Sequence, residues 1–428
     1  MKQIALAAAL AALMIGHVSA QETKFDQCVL AGRLILEAGK PSQTNQLIRI
    51  RGGKIFDIAA PSANGSCEKI QNLSNFTVLP GLIDAHVHLL SELGPDSRLK
   101  EVTVSSEDLV VEGAANARKT LLAGFTSVVD LGGEPGSIFA LRDGITAGKL
   151  PGPRILAAGA AITPHGGHAD IHGFRPDVMA GLDRSNTCSG ADDCRRAVRE
   201  MVRAGADVIK ITATGGVLSN TKAGLGQQFT DPELKAIVET AHALGRKAAA
   251  HAHGKAGIDA SLRAGIDSIE HGTYGDNESF KLYKANNAAL SPTTLAGATV
   301  VAQADTGWLT PAQRAKALEA GPLMLDMLRR ARLAGVRTIF GTDTGVSKHG
   351  ENAKEFALWI EAGFTPSEAI RAATLGVAEH YGLADEIGSI APGKAADLIA
   401  VAGDPLGDVT RLQSVAFVMK AGMVHKAP

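Results

Sequence analysis

The sequence is short of aromatic residues and carries no excess of either charge. Aromatic side chains make up 4% of the 428 residues, with only 2 tryptophans and 3 tyrosines. The formal net charge is −1, and the lysines and arginines form no long basic run. A protein that binds nucleic acid needs a concentrated positive surface. We therefore expect no nucleic-acid partner for this chain.

Long apolar runs are absent after the first twenty residues. Residues 1–20 place one lysine, Lys2, before an apolar run that ends in Val18-Ser19-Ala20, residues of the kind that a signal peptidase reads. This pattern predicts a signal peptide that is cleaved before Gln21, and export to the periplasm or out of the cell. A membrane anchor is the alternative, but the run is short and no charged stop-transfer residues follow it. We expect no membrane association after cleavage.

Cysteine is also scarce. The four cysteines fall into two neighbourhoods, Cys28 with Cys67 and Cys188 with Cys194. They lack the CxxC spacing that is typical of zinc sites, so zinc binding by these four residues is the less favoured alternative. Because export permits disulfides, the pattern predicts a disulfide between Cys188 and Cys194 and makes one possible between Cys28 and Cys67.

Hydrophobic residues make up 45% of the chain and glycines number 48, a composition that favours helices packed closely on a parallel sheet. Between residues 76 and 385, short runs rich in Val, Ile and Ala alternate with amphipathic stretches. This rhythm predicts eight strands, each followed by a helix, which is the number that closes an α/β fold of the (β/α)8 TIM-barrel type. The predicted strands are 77–88, 126–131, 154–162, 207–212, 247–253, 267–272, 288–292 and 337–344.

One helix start can be read from its cap. Thr230 and Glu233 have the spacing of a capping box, and apolar residues follow at helical intervals. The sequence therefore predicts a helix that begins after Thr230 and precedes the fifth strand.

The two ends of the chain carry a different pattern. Residues 21–75 and 386–428 hold alternating strand-like runs such as 46–51 and 415–420, separated by glycine, proline and aspartate turns. Chain termini often lie close together. The two segments are therefore predicted to form one small β-domain beside a barrel of residues 76–385.

Two pairs of histidines occur at predicted strand ends. His86 and His88 end the first strand, and His251 and His253 end the fifth. Because side chains alternate across a strand, the two histidines of each pair point to the same face. Such a pair suits metal binding, although ordinary polar packing also explains a single pair. In a barrel, the carboxyl ends of the strands form the face where active sites lie.

Three further residues lie in or at the end of other predicted strands. Lys210 lies in an apolar strand, His271 closes the sixth strand and Asp343 ends the eighth. Since an unpaired buried ammonium is costly, Lys210 is either paired with a carboxylate or solvent, or deprotonated and used as a nucleophile or metal ligand. Taken singly, His271 and Asp343 are also explained as ordinary core or turn residues. Taken jointly, residues of this chemistry on five strands predict an assembled active site.

Five ordered motifs resemble the signature set of the amidohydrolase superfamily: PGLIDAHVHL, VIKI, HAHG, IEHGT and GTDTG. The closing GSIAPGKAADLIAV is also typical of that superfamily, so the resemblance covers nearly the whole mature chain. It implies a catalytic (β/α)8 barrel, with a composite β-sandwich formed by residues 21–75 and 386–428.

The resemblance also implies two divalent metal ions, which we expect to be zinc because the ligands are imidazoles and oxygens; manganese, cobalt and iron are the alternatives that the same ligand types allow. Lys210 would be carboxylated on its side-chain nitrogen and bridge the two ions. Asp343 would exchange a proton with the metal-activated hydroxide that attacks the amide. The implied ligands are His86 and His88 with Asp343 for the more buried ion, His251 and His271 for the more exposed ion, and Lys210 for both. Asp343, Lys210 and His253 would be catalytic. The alternative reverses the pair on the fifth strand, with His253 as the ligand and His251 beside it in contact with substrate.

The segments TPHGGH at 163–168 and ATGGVLSN at 213–220 look like the dipeptidase and carboxypeptidase branch of that superfamily, which includes prolidase-like and ochratoxin-hydrolysing enzymes. This likeness predicts cleavage of an amide bond to a C-terminal amino acid. The substrate would be an N-acyl amino acid, a dipeptide, or ochratoxin A with release of L-phenylalanine. Candidate substrate contacts are His165, His168 and Ser219 in these loops, together with His253.

Other functions stay open at this point. A cyclic-amide hydrolase of the imidazolonepropionase type would share the fold and most ligands. A non-catalytic exported metal-binding barrel, or a hydrolase with a serine nucleophile, would use fewer of these residues. The expected partner is a small-molecule amide or dipeptide, and because many relatives assemble, we also expect a homo-oligomer.

Overall fold

The computed structural model describes residues 24–63, 65–182, 186–219 and 224–428. The predicted signal peptide at residues 1–20 lies outside these ranges. Within them, no helix combines the length and apolar character that a membrane crossing requires.

The middle of the chain is an α/β fold in which short parallel strands alternate with helices. The strands form two parallel sheets, one of three strands and one of four. The smaller sheet contains Leu82–Val87, Phe125–Asp130 and Arg154–Ala157. The larger contains Val208–Thr212, Lys247–Ala252, Ser268–His271 and Ala289–Ser291.

Single parallel bridges lie at the borders of these two sheets. Ile162 bridges Ile211 at one border, and the amide of Asp207 donates to the carbonyl of Ala157 at 2.9 Å. At the other border, the segment 338–344 lies between the two sheets. Its first residue, Thr338, bridges Leu290, and its last, Thr344, bridges Val87. The predicted eighth strand, 337–344, is therefore present only as isolated bridges rather than as a continuous ladder.

A seven-stranded sheet combines strands from both ends of the chain. Its own buried core includes Val29, Ile48, Leu398 and Phe417. In spatial order its strands are Met423–Lys426, Val415–Lys420, Leu398–Ala402, Ile70–Pro80, Gln27–Leu34, Gln43–Arg51 and Lys54–Ala59.

The predicted strand 77–88 is two strands that belong to different sheets. Ile70–Pro80 ends in the seven-stranded sheet, and Leu82–Val87 begins the parallel sheet after Gly81. A Cβ atom on Gly81 would lie 2.1 Å from the hydroxyl oxygen of Thr126, so only glycine allows this close passage. The apolar pattern continues through the break because both strands are buried, which is why the sequence reads as one strand.

Helices cover the parallel strands. The helix predicted to begin after Thr230 runs from Asp231 to Ala243, and its capping box with Glu233 is confirmed. The other α-helices are Ser97–Thr103, Ser106–Leu122, Pro135–Thr146, Pro176–Gly181, Ala191–Ala204, Lys255–Arg263, Asn277–Ala285, Thr294–Gln303, Pro311–Leu333, Glu355–Glu361, Pro366–Arg371 and Val377–His380.

Both cysteine neighbourhoods are disulfides. Cys28 is bonded to Cys67 across 39 residues, and Cys188 to Cys194 across 6 residues, and no described cysteine is free. The predicted Cys188–Cys194 pairing is confirmed, and zinc binding by these cysteines is wrong because all four sulfurs are used. The shorter disulfide closes the loop that leads into the helix Ala191–Ala204.

We expect the two disulfides to differ in their effect on stability. Loop-closure entropy predicts that the 39-residue bridge contributes about 4 kcal/mol and the 6-residue bridge about 2 kcal/mol. The double variant Cys28→Ser/Cys67→Ser should therefore unfold at a lower denaturant concentration than Cys188→Ser/Cys194→Ser, as measured by circular dichroism. An equal or reversed order would show that chain entropy does not govern these bridges.

Candidate active site

The predicted metal ligands, carried by the parallel strands and the segments that follow them, meet in one cavity. Its volume is about 540 Å³, and it is lined by every metal ligand that the sequence predicted. They reach it from separate strands because, in a parallel array, all carboxyl ends lie on one side. The ligands that line it are His86, His88, Lys210, His251, His271 and Asp343.

His86, His88 and Asp343 form the first cluster. The Nε2 atoms of the two histidines are 3.3 Å apart. Asp343 places Oδ1 3.1 Å from Nε2 of His88 and 3.4 Å from Nε2 of His86. The backbone of Asp343 is left-handed, with φ +57°, a conformation that a non-glycine residue adopts only where its surroundings hold it.

His251, His253 and His271 form the second cluster. Nδ1 of His251 is 2.9 Å from Nε2 of His271, and the rings of His253 and His271 stack with centroids 4.8 Å apart. Lys210 lies by the first cluster, with Nζ 3.4 Å from Nε2 of His86. The geometry thus groups His253 with the two predicted ligands rather than setting it apart.

Acceptors on the far side of the first pair of rings fix their tautomers. Nδ1 of His88 lies 2.8 Å from the carbonyl oxygen of Gly132, and Nδ1 of His86 lies 2.9 Å from Oε2 of Glu270. A carbonyl or carboxylate only accepts, so each Nδ1 carries the proton and donates it. The lone pair is then on Nε2 of both rings, and both Nε2 atoms face the cavity.

The second pair of rings is oriented in the same manner. Nε2 of His251 lies 3.3 Å from the carbonyl oxygen of Gly215, which leaves the lone pair on Nδ1. Nδ1 of His271 lies 2.7 Å from the hydroxyl of Thr293, which donates its own proton to the carbonyl of Pro292. The lone pair of His271 is therefore on Nε2, beside that of His251. Partners of this kind on the outer nitrogen are the usual setting of metal-bound histidines.

Burial keeps three of the four imidazoles neutral. It lowers the pKa of His86, His251 and His271 well below the usual 6.5, and nearby positive groups such as Lys210 lower it further. At His88 burial also acts to lower the pKa, but the contact with Asp343 outweighs it and raises the pKa above its usual value. Burial also lowers the pKa of the Lys210 amine. Burial alone would raise the pKa of Asp343, but His86, His88 and Lys210 hold it below its usual value, so the carboxylate is charged. Neutral ring nitrogens beside a carboxylate are a donor set that suits a divalent transition metal.

One supporting residue was not singled out in the sequence, although it belongs to the first motif. Asp84 is fully buried and accepts hydrogen bonds from the amides of His86 and Thr342, the hydroxyl of Thr342, and the side-chain amide of Asn352. Burial raises its pKa to about 6. Asp84 thus ties the strand that carries His86 to the segment that carries Asp343. Its chain position alone gives no sign of this, because three of its four bonds span more than 250 residues.

The loop histidines differ in placement. His168 lines the cavity, with its ring centroid 4.3 Å from that of His251, and its Nδ1 is 2.8 Å from the hydroxyl of Ser219. Ser219 is buried behind that ring and does not itself line the cavity. It is placed to orient His168 rather than to touch a substrate.

His165 lies outside the cavity lining. It is exposed, and its ring nitrogens contact the hydroxyls of Ser189 and Thr187 at 2.9 Å. The chain turns at Gly166, with φ +75°, so His165 and His168 point in different directions. The prediction that His165 contacts substrate is therefore not supported.

Apolar side chains form much of the cavity lining. The larger ones are Leu90, Leu93, Val104, Leu109, Leu131, Ile171, Val217, Leu218, Val300, Met324 and Val346. Acidic residues also line the cavity: Glu92, Glu101, Glu112, Glu134 and Asp170. Among the described residues no arginine lines it, and Lys100, which does, is paired with Glu112 at 2.8 Å. The apolar part of this lining is suited to a hydrophobic group of a substrate.

Known proteins match this chain in sequence and in fold. The amidohydrolase family model matches residues 77–426. Ochratoxinase from Aspergillus niger is 34% identical over 426 aligned residues, which cover 94% of this chain and 86% of the relative.

Two solved structures cover the same part of the chain. A Xaa-Pro dipeptidase with methionine bound in its active site has a TM-score of 0.89 and 38% identity, covering 94% of this chain and 100% of the other. The crystal structure of A. niger ochratoxinase has a TM-score of 0.84 and 29% identity, covering 94% and 96%. The family model and these relatives together show that the chain belongs to the amidohydrolase family and is a hydrolytic enzyme that acts on amide bonds.

Proposed function

We propose that this enzyme is a binuclear-metal hydrolase that cleaves the amide bond to a C-terminal amino acid. The observation that carries the proposal is the convergence of four imidazole lone pairs on one cavity that also contains Lys210 and Asp343. The named relatives, an ochratoxinase and a Xaa-Pro dipeptidase, support the choice of substrate class.

The residues present fit two divalent ions, which we propose to be zinc. Oδ1 of Asp343 is buried and lies 3.1 and 3.4 Å from the Nε2 atoms of His88 and His86, which are themselves 3.3 Å apart, so three electron-rich atoms converge on one point, as expected of ligands that share a cation. His86, His88 and Asp343 would hold one ion, and His251 and His271 the other. Lys210 would bridge them as a carbamate, because burial favours the uncharged amine that reacts with carbon dioxide.

We assign a separate role in the reaction to each group of side chains in the site. Divalent ions bound here would lower the pKa of water and polarise the amide carbonyl. The carboxylate of Asp343 is placed to accept a proton from that water and return it to the leaving nitrogen. His253 and His168 line the same cavity and would contact the substrate. Ser219 would act through His168.

The substrate that best suits the cavity has an apolar acyl part. Apolar side chains form much of the lining, and a cavity of about 540 Å³ accommodates a dipeptide or an N-acyl amino acid. Ochratoxin A, with release of L-phenylalanine, is proposed from the ochratoxinase relative.

We further propose that the parallel strands close into an eight-stranded barrel over residues 76–385. The bridges at Ile162, Thr338 and Thr344 support this closure. The seven-stranded terminal sheet, with its own core, supports a separate β-sandwich domain of residues 21–75 and 386–428.

Export by the signal peptide of residues 1–20 also belongs to the proposal. The two disulfides support it, because such bonds persist in oxidising compartments. The homo-oligomer stays a prediction.

The first test measures release of free amino acid from N-acyl amino acids, Xaa-Pro dipeptides and ochratoxin A. We expect release to stop after chelation and to return with zinc, because the metal supplies the attacking water. Cyclic amides are the comparison substrates. If the metal-loaded enzyme releases no amino acid from any of these linear substrates but hydrolyses a cyclic amide, the enzyme is a ring-opening hydrolase instead.

The variant Lys210→Ala tests the bridging role. It should lose bound metal and activity together, since the bridging anion is removed. Small carboxylates such as acetate or formate should restore part of both, as measured by elemental analysis and amino-acid release. Full activity in this variant would contradict the binuclear centre.

The variant Glu270→Gln tests the tautomer of His86. It removes the charge that holds the Nδ1 proton, so metal affinity should fall about tenfold in a chelator competition. The matched control is Ser268→Ala, which removes the hydrogen bond to the other oxygen of the same carboxylate. Equal affinity in the Glu270 variant and the wild type would show that this contact does not tune the site.

A further inference from the structure

Lys316 places a buried ammonium against the main chain of a loop that lines the cavity. The residue lies on the helix Pro311–Leu333, and 7% of its surface is exposed. Its Nζ donates to the carbonyl oxygens of Gly216 at 2.6 Å and Ser219 at 2.7 Å. One side chain thus closes both ends of the segment 216–219.

No carboxylate of the described residues forms an ion pair with Lys316, and its ammonium donates hydrogen bonds to carbonyl oxygens instead. Burial lowers the pKa of its amine to about 8, which leaves the group mostly charged at neutral pH. A buried charge is costly unless its hydrogen bonds are made. Charge-assisted bonds to carbonyls are among the stronger ones in proteins, so these two contacts hold the loop firmly.

A second residue of the same helix turn holds the carbonyl between them. The side-chain amide of Gln313 donates to the carbonyl oxygen of Leu218 at 2.6 Å. Gln313 and Lys316 are three positions apart, so they lie on the same face of the helix. Three of the four carbonyls of the segment 216–219 are therefore bound by this one face.

The loop that they hold forms one wall of the cavity. Val217 and Leu218 line it directly. Ser219 contacts Nδ1 of His168, and a Cβ atom on Gly216 would lie 2.2 Å from the His168 ring. The position of the loop therefore sets the position of His168.

The helix that carries Lys316 forms another part of the wall. Gly321 and Met324, further along it, line the cavity. Val217 of the loop and Ala317 and Ala320 of the helix share a small hydrophobic cluster, separate from the main core. Lys316 lies where the loop and the helix meet, so its two hydrogen bonds fix the distance between these walls.

We propose that Lys316 is a positioning residue that sets the substrate-binding shape of the cavity by holding the segment 216–219, and His168 with it, against the helix Pro311–Leu333. The proposal rests on the proposed function, because it assigns the loop to substrate binding in that same site. Lys316 does not line the cavity, so it acts through the loop and through His168. Its loss should weaken substrate binding and leave the chemical step nearly unchanged.

The variant Lys316→Met removes the donors and keeps an unbranched side chain. We expect the KM for an amide substrate to rise about tenfold, the effect of losing about 1.4 kcal/mol of binding. The kcat should change less than threefold and the metal content should not change. Lys316→Arg, which retains donors, should restore at least half of the lost affinity. The control is Lys235→Met, on an exposed lysine whose side chain is 69% accessible.

Hydrogen–deuterium exchange supplies a measurement that does not depend on turnover. Peptides covering residues 213–219 should exchange faster in Lys316→Met than in the wild type, and at the wild-type rate in Lys235→Met. Unchanged exchange, or a fall in kcat and metal content with unchanged KM, would overturn the positioning role. Failure of the wild type to release amino acids would instead count against the proposed function, while the exchange result would still decide the role of Lys316.

Discussion

The site depends on hydrogen bonds at the outer nitrogens of four histidines. Each ring presents a lone pair to the cavity only because its other nitrogen is engaged by a carbonyl, a carboxylate or a hydroxyl. Without these contacts the buried rings could rotate or change tautomer, and the four nitrogens would not converge. Loss of such a contact at the outer nitrogen typically weakens metal binding strongly.

These contacts tie the site to several separate elements. Glu270 immediately precedes His271 on the same strand, yet its carboxylate reaches His86 on another strand. Thr293 follows the strand Ala289–Ser291 and reaches back to His271. Since every ring is held by a residue of a neighbouring strand or loop, the parallel strands together fix the positions of the four histidines.

Local backbone strain marks the same region. His271, Thr293 and Asp343 all have positive φ angles, which cost energy for residues with a Cβ atom. Near Asp343, the carboxylate of Asp84 accepts hydrogen bonds from the amides of His86 and Thr342. These bonds help to hold the backbone of Asp343 in its left-handed conformation. His271, Thr293 and Asp343 therefore keep a backbone conformation that they would not prefer by themselves, as expected where side chains must converge on one site.

The sequence by itself determined those features that depend on residues close together in the chain. Alternation along a strand put His86 beside His88 and His251 beside His253, and the capping box at Thr230 marked a helix start. Two cysteines only 6 residues apart predicted the Cys188–Cys194 disulfide. These features follow from local geometry, so they can be read within a few residues.

Only the tertiary structure decided which distant groups meet. It brought Glu270 to His86, Asp84 to Thr342 and Lys316 to Gly216, contacts across about 100 residues or more. It also turned His165 away from the cavity while His168 entered it, because a left-handed glycine lies between them. Hydrophobic periodicity specifies which face of an element is buried, but the packing of all the elements together selects the partner that each polar group finds there.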